Sequence, residues 1–254
     1  MTDADLYDRG ISTLVTSWRV IAHGPRGAAV ERLRGGSVAV FPSDPERRFY
    51  NNAVVDRDLG SIERREALDA IEAAYSAAGI ERFAIWAHEA DETLQADLDR
   101  RGYAFADSTR AMGLILDDID PPQPEIDLAP ADWEEHFRIL GTPPGLLSGT
   151  DLSAFRLLVA RLDSESVSTA ITLDHEGDCG VYDVATLERA RKRGLATALI
   201  AIHLRDAIAR GCRTATVQST PMAERVYAGV GFRDLGRILE YAPSEQRPQR
   251  APAR

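Results

Sequence analysis

Three basic residues, Arg191, Lys192 and Arg193, stand directly before Gly194, Leu195, Ala196 and Thr197 in a chain whose formal net charge is −10. From residue 194 to 209 apolar residues recur at the helical period, and Gly211 ends the pattern. The first backbone N–H groups of a helix lack internal partners, point outward together and sit at the positive end of the helix dipole. Such a terminus can hold a phosphate without any dedicated side chain. Gly194 and Ala196 leave no bulk before those N–H groups, Arg191 and Arg193 can add charge-assisted hydrogen bonds, and Lys192 can turn to solvent. The pattern suits a grip on a strongly anionic ligand; its bland alternative is a solvated helix start with surface arginines. It is neither a triphosphate loop nor a dinucleotide turn, because GxxxxGK[ST] and GxGxxG are both absent.

The elements that must position this grip follow from periodicity and punctuation. Residues 156–162 and 166–173 read as strands around the turn "DSE", and "DCGVYDVATL" follows as a third strand ending near Leu187. After the long helix come a strand "TATVQST", a short helix "AERVYAGVGF" and a last strand "GRILEYA". Upstream, "ADWEEHFRIL" reads as a helix, and the Pro-Pro-Gly segment at 140–151 as a stiff loop suited to covering a small site. The first half repeats the order: "FYNNAVV", a helix "ALDAIEAAYSAAG", "RFAIWAH", "LQADLDRRGY" and "TRAMGLIL", with Gly102-Tyr103 matching Gly231-Phe232. Units of this size point to two duplicated domains rather than to a solenoid. The proline- and acid-rich stretch between the halves is a linker. The expected division is residues 1–117, a linker at 118–125, a second domain at 126–242 and a disordered polar tail at 243–254. The expected class is α/β, each domain a mixed, mostly antiparallel sheet flanked by helices.

Composition narrows the function classes. The acidic balance argues against non-specific nucleic-acid binding and against an anionic membrane surface. No apolar run reaches the length of a membrane helix, the opening residues lack the order of a secretion signal, and the expected compartment is the cytoplasm. Cys179 and Cys212 fit no metal spacing and lack a placed histidine partner, so they read as core packing, and no metal is expected.

"RKRGLA" resembles the R/Q-x-x-G-x-G/A signature of the GNAT superfamily of N-acetyltransferases, which holds the coenzyme A pyrophosphate. "YDVATL" is similar to the strand before that signature, which opens away from its neighbour, and Ala223, Tyr227, Gly231 and Phe232 fall at the spacings of the family's "A…Y…GF" segment. The resemblance covers the second half. It implies acetyl-CoA as co-substrate, held by Val184, Ala185 and Thr186, by Arg191, Lys192, Arg193, Gly194, Leu195, Ala196 and Thr197, and by Thr220 and Tyr227. It further implies direct attack of a small amine on the thioester in a ternary complex. The first half resembles the same fold without the signature, and Leu98 takes the tyrosine's place. It reads as a degenerate domain that shapes the acceptor pocket or supplies a homodimer face. The competing reading is a non-catalytic acyl-CoA-binding sensor or partner protein.

The resemblance places the Tyr227 hydroxyl near the coenzyme sulfur, and a phenol is protonated at neutral pH and can donate to a departing thiolate. Backbone N–H groups at Val184 and Ala185 would stabilise the thioester oxygen. The base has several candidates. Asp183 lies in the strand beside the thioester, sharing a face with Val181 and Ala185 on simple alternation. Glu188, His136 and His175 are alternatives, more ordinary as surface, helix-face and turn residues. Thr220 can bond the pantetheine arm or, in the blander reading, cap the helix that follows.

Overall fold

The computed structural model describes residues 1–43, 50–142 and 149–244. In chain order its elements are α1 (Asp3–Ala22), β1 (Ala29–Leu33), β2 (Gly36–Val40), β3 (Asn52–Val55), α2 (Ser61–Ala78), β4 (Ala84–His88), α3 (Glu92–Arg100), β5 (Tyr103–Ile115), β6 (Leu128–Ala129), α4 (Trp133–Leu140), β7 (Arg156–Leu162), β8 (Glu165–His175), β9 (Asp178–Thr186), α5 (Leu195–Ala209), β10 (Thr214–Ser219), α6 (Glu224–Val230) and β11 (Arg233–Pro243). They form two compact units, and neither is contiguous in sequence. One joins Met1–Gly24 to Thr109–Gly236; the other joins Pro25–Ser108 to the described residues from Arg237 onward. The units therefore differ from the sequential division expected around residues 118–125: the first helix groups with the second half, and the last strand groups with the first.

In the larger unit β6, β7, β8 and β9 pair antiparallel in succession, β9 pairs parallel with β10, and β10 pairs antiparallel with β5 along its whole length. In the smaller unit β1, β2 and β3 are antiparallel, β3 and β4 are parallel, and β4 pairs antiparallel with β11 from Ile238–His88 to Tyr241–Ile85. Both units thus contain antiparallel strands followed by a parallel crossover through a long helix, α5 in one and α2 in the other. A short helix follows each crossover, then a glycine at positive φ, Gly231 at 108° and Gly102 at 81°. Glycine populates this region without the clash a Cβ would bring. Each sheet is completed by the final strand of the other half of the sequence.

Helix α5 is buried on two sides because its apolar residues are not confined to one stripe. Ile200, Leu204 and Ala207 join a cluster with Cys179, Val181, Val217 and Tyr227. Leu195 and Leu199 join another with Ala160, Val167 and Ala170. The stretch between the halves is not a free tether: Arg213 pairs with Asp117, Arg205 pairs with Asp120 and donates to the Pro121 carbonyl, and Ile119 packs on the α5 cluster. The expected tail begins in ordered chain. Pro243 ends β11 and the Ser244 N–H donates to the Gly102 carbonyl at 3.0 Å; the rest of the tail lies outside the described residues.

Helix α1, which periodicity in the second half could not reveal, is closed at its start by a capping box between Thr2 and Asp5. It buries Leu6, Gly10, Thr13 and Ser17. Gly10 allows a close approach there, since a Cβ would lie 3.1 Å from the Thr216 Cβ, a tight contact. This close approach lets the Thr13 hydroxyl reach Asp178, the first residue of β9, at 2.7 Å. Asp178 is 1% exposed and also accepts from the hydroxyls of Thr214 at 2.6 Å and Thr216 at 2.7 Å. A buried carboxylate is costly unless its oxygens are hydrogen-bonded, and these three hydroxyls bind α1, β9 and β10 at one point.

On the other side of β8, His203 of α5 is 1% exposed, its Nε2 3.2 Å from the Ala170 carbonyl and its Nδ1 3.2 Å from the Thr172 hydroxyl. The carbonyl can only accept, so Nε2 carries the proton and the neutral ring takes the Thr172 proton on Nδ1. Burial lowers its pKa from 6.5 to about 4. The folded value lies below the unfolded one, so this ring contributes its full stability above the unfolded value and loses it as pH falls toward the folded value. Urea unfolding should show a loss of about 3 kcal/mol across that window. His203→Gln, which can donate and accept at the same partners, should flatten the dependence; an unchanged slope would refute this assignment.

Candidate active site

The site begins where β9 and β10 part. Their parallel pairing consists of Asp178–Thr214, Cys179–Ala215 and Gly180–Thr216, after which β9 continues to Thr186 and β10 to Ser219 without further register. β10 remains paired with β5 to its end, and β9 remains with β8, so the gap opens between two strands that are each held from behind. A crevice at the carboxyl ends of parallel strands is the general ligand site of such sheets.

Within the gap the β8–β9 register shifts: Thr169 pairs with Ala185, but Ile171 pairs with Tyr182. β9 therefore carries one residue more than its partner, and Asp183 there adopts φ 52°. This is a β-bulge, and a bulge turns a side chain out of the regular alternation. The expectation that Asp183 shares a face with Val181 and Ala185 fails for that reason. Val181 and Val184 instead both pack toward the α5 cluster, on either side of the bulge. Aspartate tolerates positive φ better than most residues, and its side chain is 35% exposed. Beyond the bulge β9 is pinned again. The Ser168 hydroxyl lies 2.8 Å from that of Thr186 and donates to the Ala185 carbonyl at 3.0 Å. The Thr186 side chain is thereby tied to β8.

The grip follows. One turn of 3-10 helix (Glu188–Ala190) leads through Arg191 and Lys192, the latter at φ 63°, to Gly194 at φ 79° and the start of α5. The first helical hydrogen bond runs from the Ala198 N–H to the Gly194 carbonyl, which leaves the N–H groups of Leu195, Ala196 and Thr197 outside the helix ladder. No side chain caps this end and its first turn holds no acid. By contrast, α1, α3 and α4 are capped by the side chains of Thr2, Asp91 and Asp132. A Cβ on Gly194 would have no heavy atom within 4 Å, so the space before the terminus is open. Arg191 turns its Nε to the Thr186 carbonyl at 3.2 Å, and Arg189 is engaged by Glu165. Lys192 and Arg193 are exposed and enter no ion pair among the described residues. Leu195 is buried in the core, so its part in the grip is that of its backbone.

Tyr227 enters from the β10 side. It lies in α6, 4% exposed, its ring edge-on to Phe232 at 5.5 Å and packed in the cluster with Val181 and Ile200. Burial raises its phenol pKa, and the negative charge of Asp183 raises it further. The phenol thus lies within the electrostatic reach of Asp183. The phenol is held firmly in its protonated form.

The remaining candidates sort themselves. His136 of α4 is 1% exposed and places Nε2 3.7 Å from the Asp183 carboxylate. His175 instead meets the Ser12 hydroxyl of α1 at 3.2 Å, and Glu188 is an exposed residue of the 3-10 turn. Thr220 does not cap α6: its carbonyl, not its hydroxyl, accepts from the Ala223 N–H at 2.9 Å, and α6 has no side-chain cap. Burial raises both thiols, Cys212 to about 11 and Cys179 well above its ordinary value, which suits packing and not nucleophilic chemistry. The core of the 140–151 loop, residues 143–148, lies outside the described residues. Among the described residues no cluster of His, Cys, Asp and Glu could hold a metal ion, and no helix is long and apolar enough to cross a membrane. Sequence reasoning missed Asp178, Thr13 and Thr169, whose partners are far away in the chain.

Comparison with known proteins gives the class first. The chain has the mixed open-sheet fold of GNAT acetyltransferases: a GCN5-related N-acetyltransferase from Kribbella flavida superposes with a TM-score of 0.68 at 18% identity, covering 92% of this chain and 95% of that one. One from Sphaerobacter thermophilus gives 0.57 at 18%, covering 82% and 80%. A tandem GNAT protein from the clavulanic acid biosynthesis pathway gives 0.59 at 16%, covering 92% and 97%. More particularly, residues 149–242 match the family model described as an acetyltransferase (GNAT) domain. That stretch contains the parting strands, the uncapped start of α5 and Tyr227. The search of curated protein sequences gives no match.

The packing of Tyr227 makes its own prediction. Tyr227→Phe keeps the ring in the cluster and should change unfolding free energy by less than about 1 kcal/mol, whereas Tyr227→Ala should cost about 3 to 5 kcal/mol. Chemical denaturation of both variants measures this; equal losses would show that the hydroxyl, not the ring, carries the packing.

Proposed function

We propose that the larger unit is an acetyl-CoA-dependent N-acyltransferase that moves an acetyl group to a small amine by direct attack in a ternary complex. The observation that carries the reading is the coincidence, at one end of the sheet, of the β9–β10 gap with a helix terminus that the chain leaves uncapped and rings with cations. The donor set fits an anionic ligand of pyrophosphate type: the N–H groups of Leu195, Ala196 and Thr197 and the side chains of Arg191 and Arg193, with Lys192 adding charge. The pantetheine arm would run along the exposed edge of β9 at Val184, Ala185 and Thr186, with Thr220 at the end of β10 opposite. Acetyl-CoA supplies the activated acetyl group.

The protein's part is positioning and proton traffic. The bulge at Asp183 turns a carboxylate toward the acceptor, where it can hold an ammonium and receive its proton. The acceptor nitrogen's lone pair then forms the new N–C bond as the C–S bond breaks, and Tyr227 donates its proton to the leaving sulfur, which departs with the electron pair. The second nitrogen proton restores the phenol. The net products are the amide, the free thiol and one proton.

The smaller unit supports the reading by contrast. Its corresponding helix α2 has its start occupied by the chain itself, the Glu63 carboxylate accepting from the Gly60 N–H at 3.3 Å. The β3–β4 ladder, from Asn52–Ala84 to Val54–Trp86, is as short as that of β9 and β10, but β3 ends at Val55 where β9 runs on to Thr186, and Leu98, in the place of the tyrosine, is fully buried in the core. We read this half as a degenerate partner of the second in a tandem arrangement.

Calorimetric titration of acetyl-CoA should show micromolar binding that is lost in Arg193→Glu and Gly194→Glu, with melting temperature reporting that each variant is folded. Absence of binding by folded wild-type protein would remove the reading. Tyr227→Phe should lower kcat by roughly 10²-fold or more with acetyl-CoA affinity nearly intact. Lost affinity at unchanged turnover would make Tyr227 a binding residue instead.

A further inference from the structure

The Thr169 hydroxyl has one proton and lies 3.2 Å from the Leu158 carbonyl, which can only accept it. The same oxygen lies 2.8 Å from His136 Nδ1. With its proton given to the carbonyl, the oxygen can only accept, and Nδ1 then carries a hydrogen. In the neutral ring Nε2 is then bare, and it is Nε2 that faces Asp183. At 3.7 Å the two are within ion-pair range but beyond hydrogen bonding, as expected of a bare nitrogen and a carboxylate with no proton between them. Trp133 and Phe137 pack edge-on against the ring, each with centroids at 5.2 Å, and set its plane.

We propose that His136 and Asp183 act as one proton-accepting unit for the acceptor ammonium, with Thr169 as the positioning residue that fixes the imidazole tautomer. The inference rests on the acetyl-transfer reading and extends it. Asp183, a third exposed, is the face that meets the substrate; His136, buried behind it, is where the proton comes to rest. A carboxylate facing a lone pair gains most by binding a proton between the two, and the resulting imidazolium is held by the carboxylate on one side and the Thr169 oxygen on the other. One N–H bond of the ammonium breaks, one forms at Nε2, the freed nitrogen lone pair becomes the nucleophile, and the proton leaves to solvent after release of the amide.

The charged groups on neighbouring elements do not compete for this role. On α4 itself Glu135 and Arg138 pair with each other. On β7 Arg156 lies beside Asp174, and on β8 Glu165 is taken by Arg189, Asp174 by Arg210 and His175 by Ser12. On β9 Asp178 is enclosed by its three threonines, which leaves Asp183; Tyr227 of α6 lies within its field and remains protonated. Asp183 is thus shared between His136, 3.7 Å away, and Tyr227, whose phenol feels its charge.

Nitrogen-15 NMR of the histidine rings tests this on the full chain without substrate, His136→Gln supplying the assignment. The neutral His136 ring should show a protonated Nδ1 and a bare Nε2. Thr169→Val should mix the tautomers, Asp183→Asn should move the Nε2 resonance of the neutral ring, and the same spectra read the His136 midpoint. A ring protonated at Nε2, or an Nε2 resonance indifferent to Asp183→Asn, would overturn the proposal even if acetyl-CoA binds. In a kinetic arm with acetyl-CoA and 2-phenylethylamine, followed by thiol release, the acid limb of kcat/KM should follow the NMR midpoint in wild type and in Thr169→Val. A limb that ignores the midpoint overturns the catalytic role. No thiol release from a protein with the expected tautomer would count against acetyl transfer and leave the proton site standing.

Discussion

The carboxylate of Asp178 is the constraint on which the larger unit turns. It sits at the first residue of β9, buried, and its oxygens are satisfied by hydroxyls from α1 and β10. The parallel ladder that begins there lasts only to Gly180. Two strands that part so soon would fray if their last contacts were weak, and hydrogen bonds to a charged acceptor are among the stronger ones available. The gap can be open because its root is fixed. The bulge at Asp183 lies a few residues from that root along β9, and the terminus of α5 lies beyond the strand's end.

The bulge then distributes roles along one strand. Before it, Val181 packs into the core; at it, Asp183 leaves the ladder; after it, Val184 returns to the core and the Ser168–Thr186 contact re-anchors the strand. A single extra residue thereby gives a strand two fixed ends and an irregular middle. Irregular backbone concentrates where the surrounding structure over-determines it, and β8 with its continuous pairing on both sides of the shift is what over-determines it here.

Much of this was legible in the sequence because it is local. The period of α5, the glycine before it, the order of elements in both halves and the likeness between Gly102 and Gly231 are all properties of neighbouring residues. The start of α5 after Gly194, with three cations before it, was legible for the same reason. What could not be read was long-range or sub-periodic. Helix α1 contributes Thr13 to a residue 165 positions away. The bulge at Asp183 inserts one residue into an alternation that looks regular on paper, so the strand was found while the direction of its side chain was not. The pairing of His136 with Asp183 depends on where α4 lies over β8 and β9. Two histidines of equal promise in sequence, at 136 and 175, are separated only by that packing.

The closing strands carry a consequence for how such a chain can change over time. The sheet that holds Asp178 is completed by β5, and its helix layer includes α1, both encoded before the proline-rich stretch; the other sheet is completed by the far end of β11. Cutting the gene at those prolines would not release two modules but two fragments, each lacking a strand and each exposing an unpaired edge. Neither half can be lost, shuffled or fused elsewhere by itself. Each half is then retained for the strand it lends as well as for any reaction of its own.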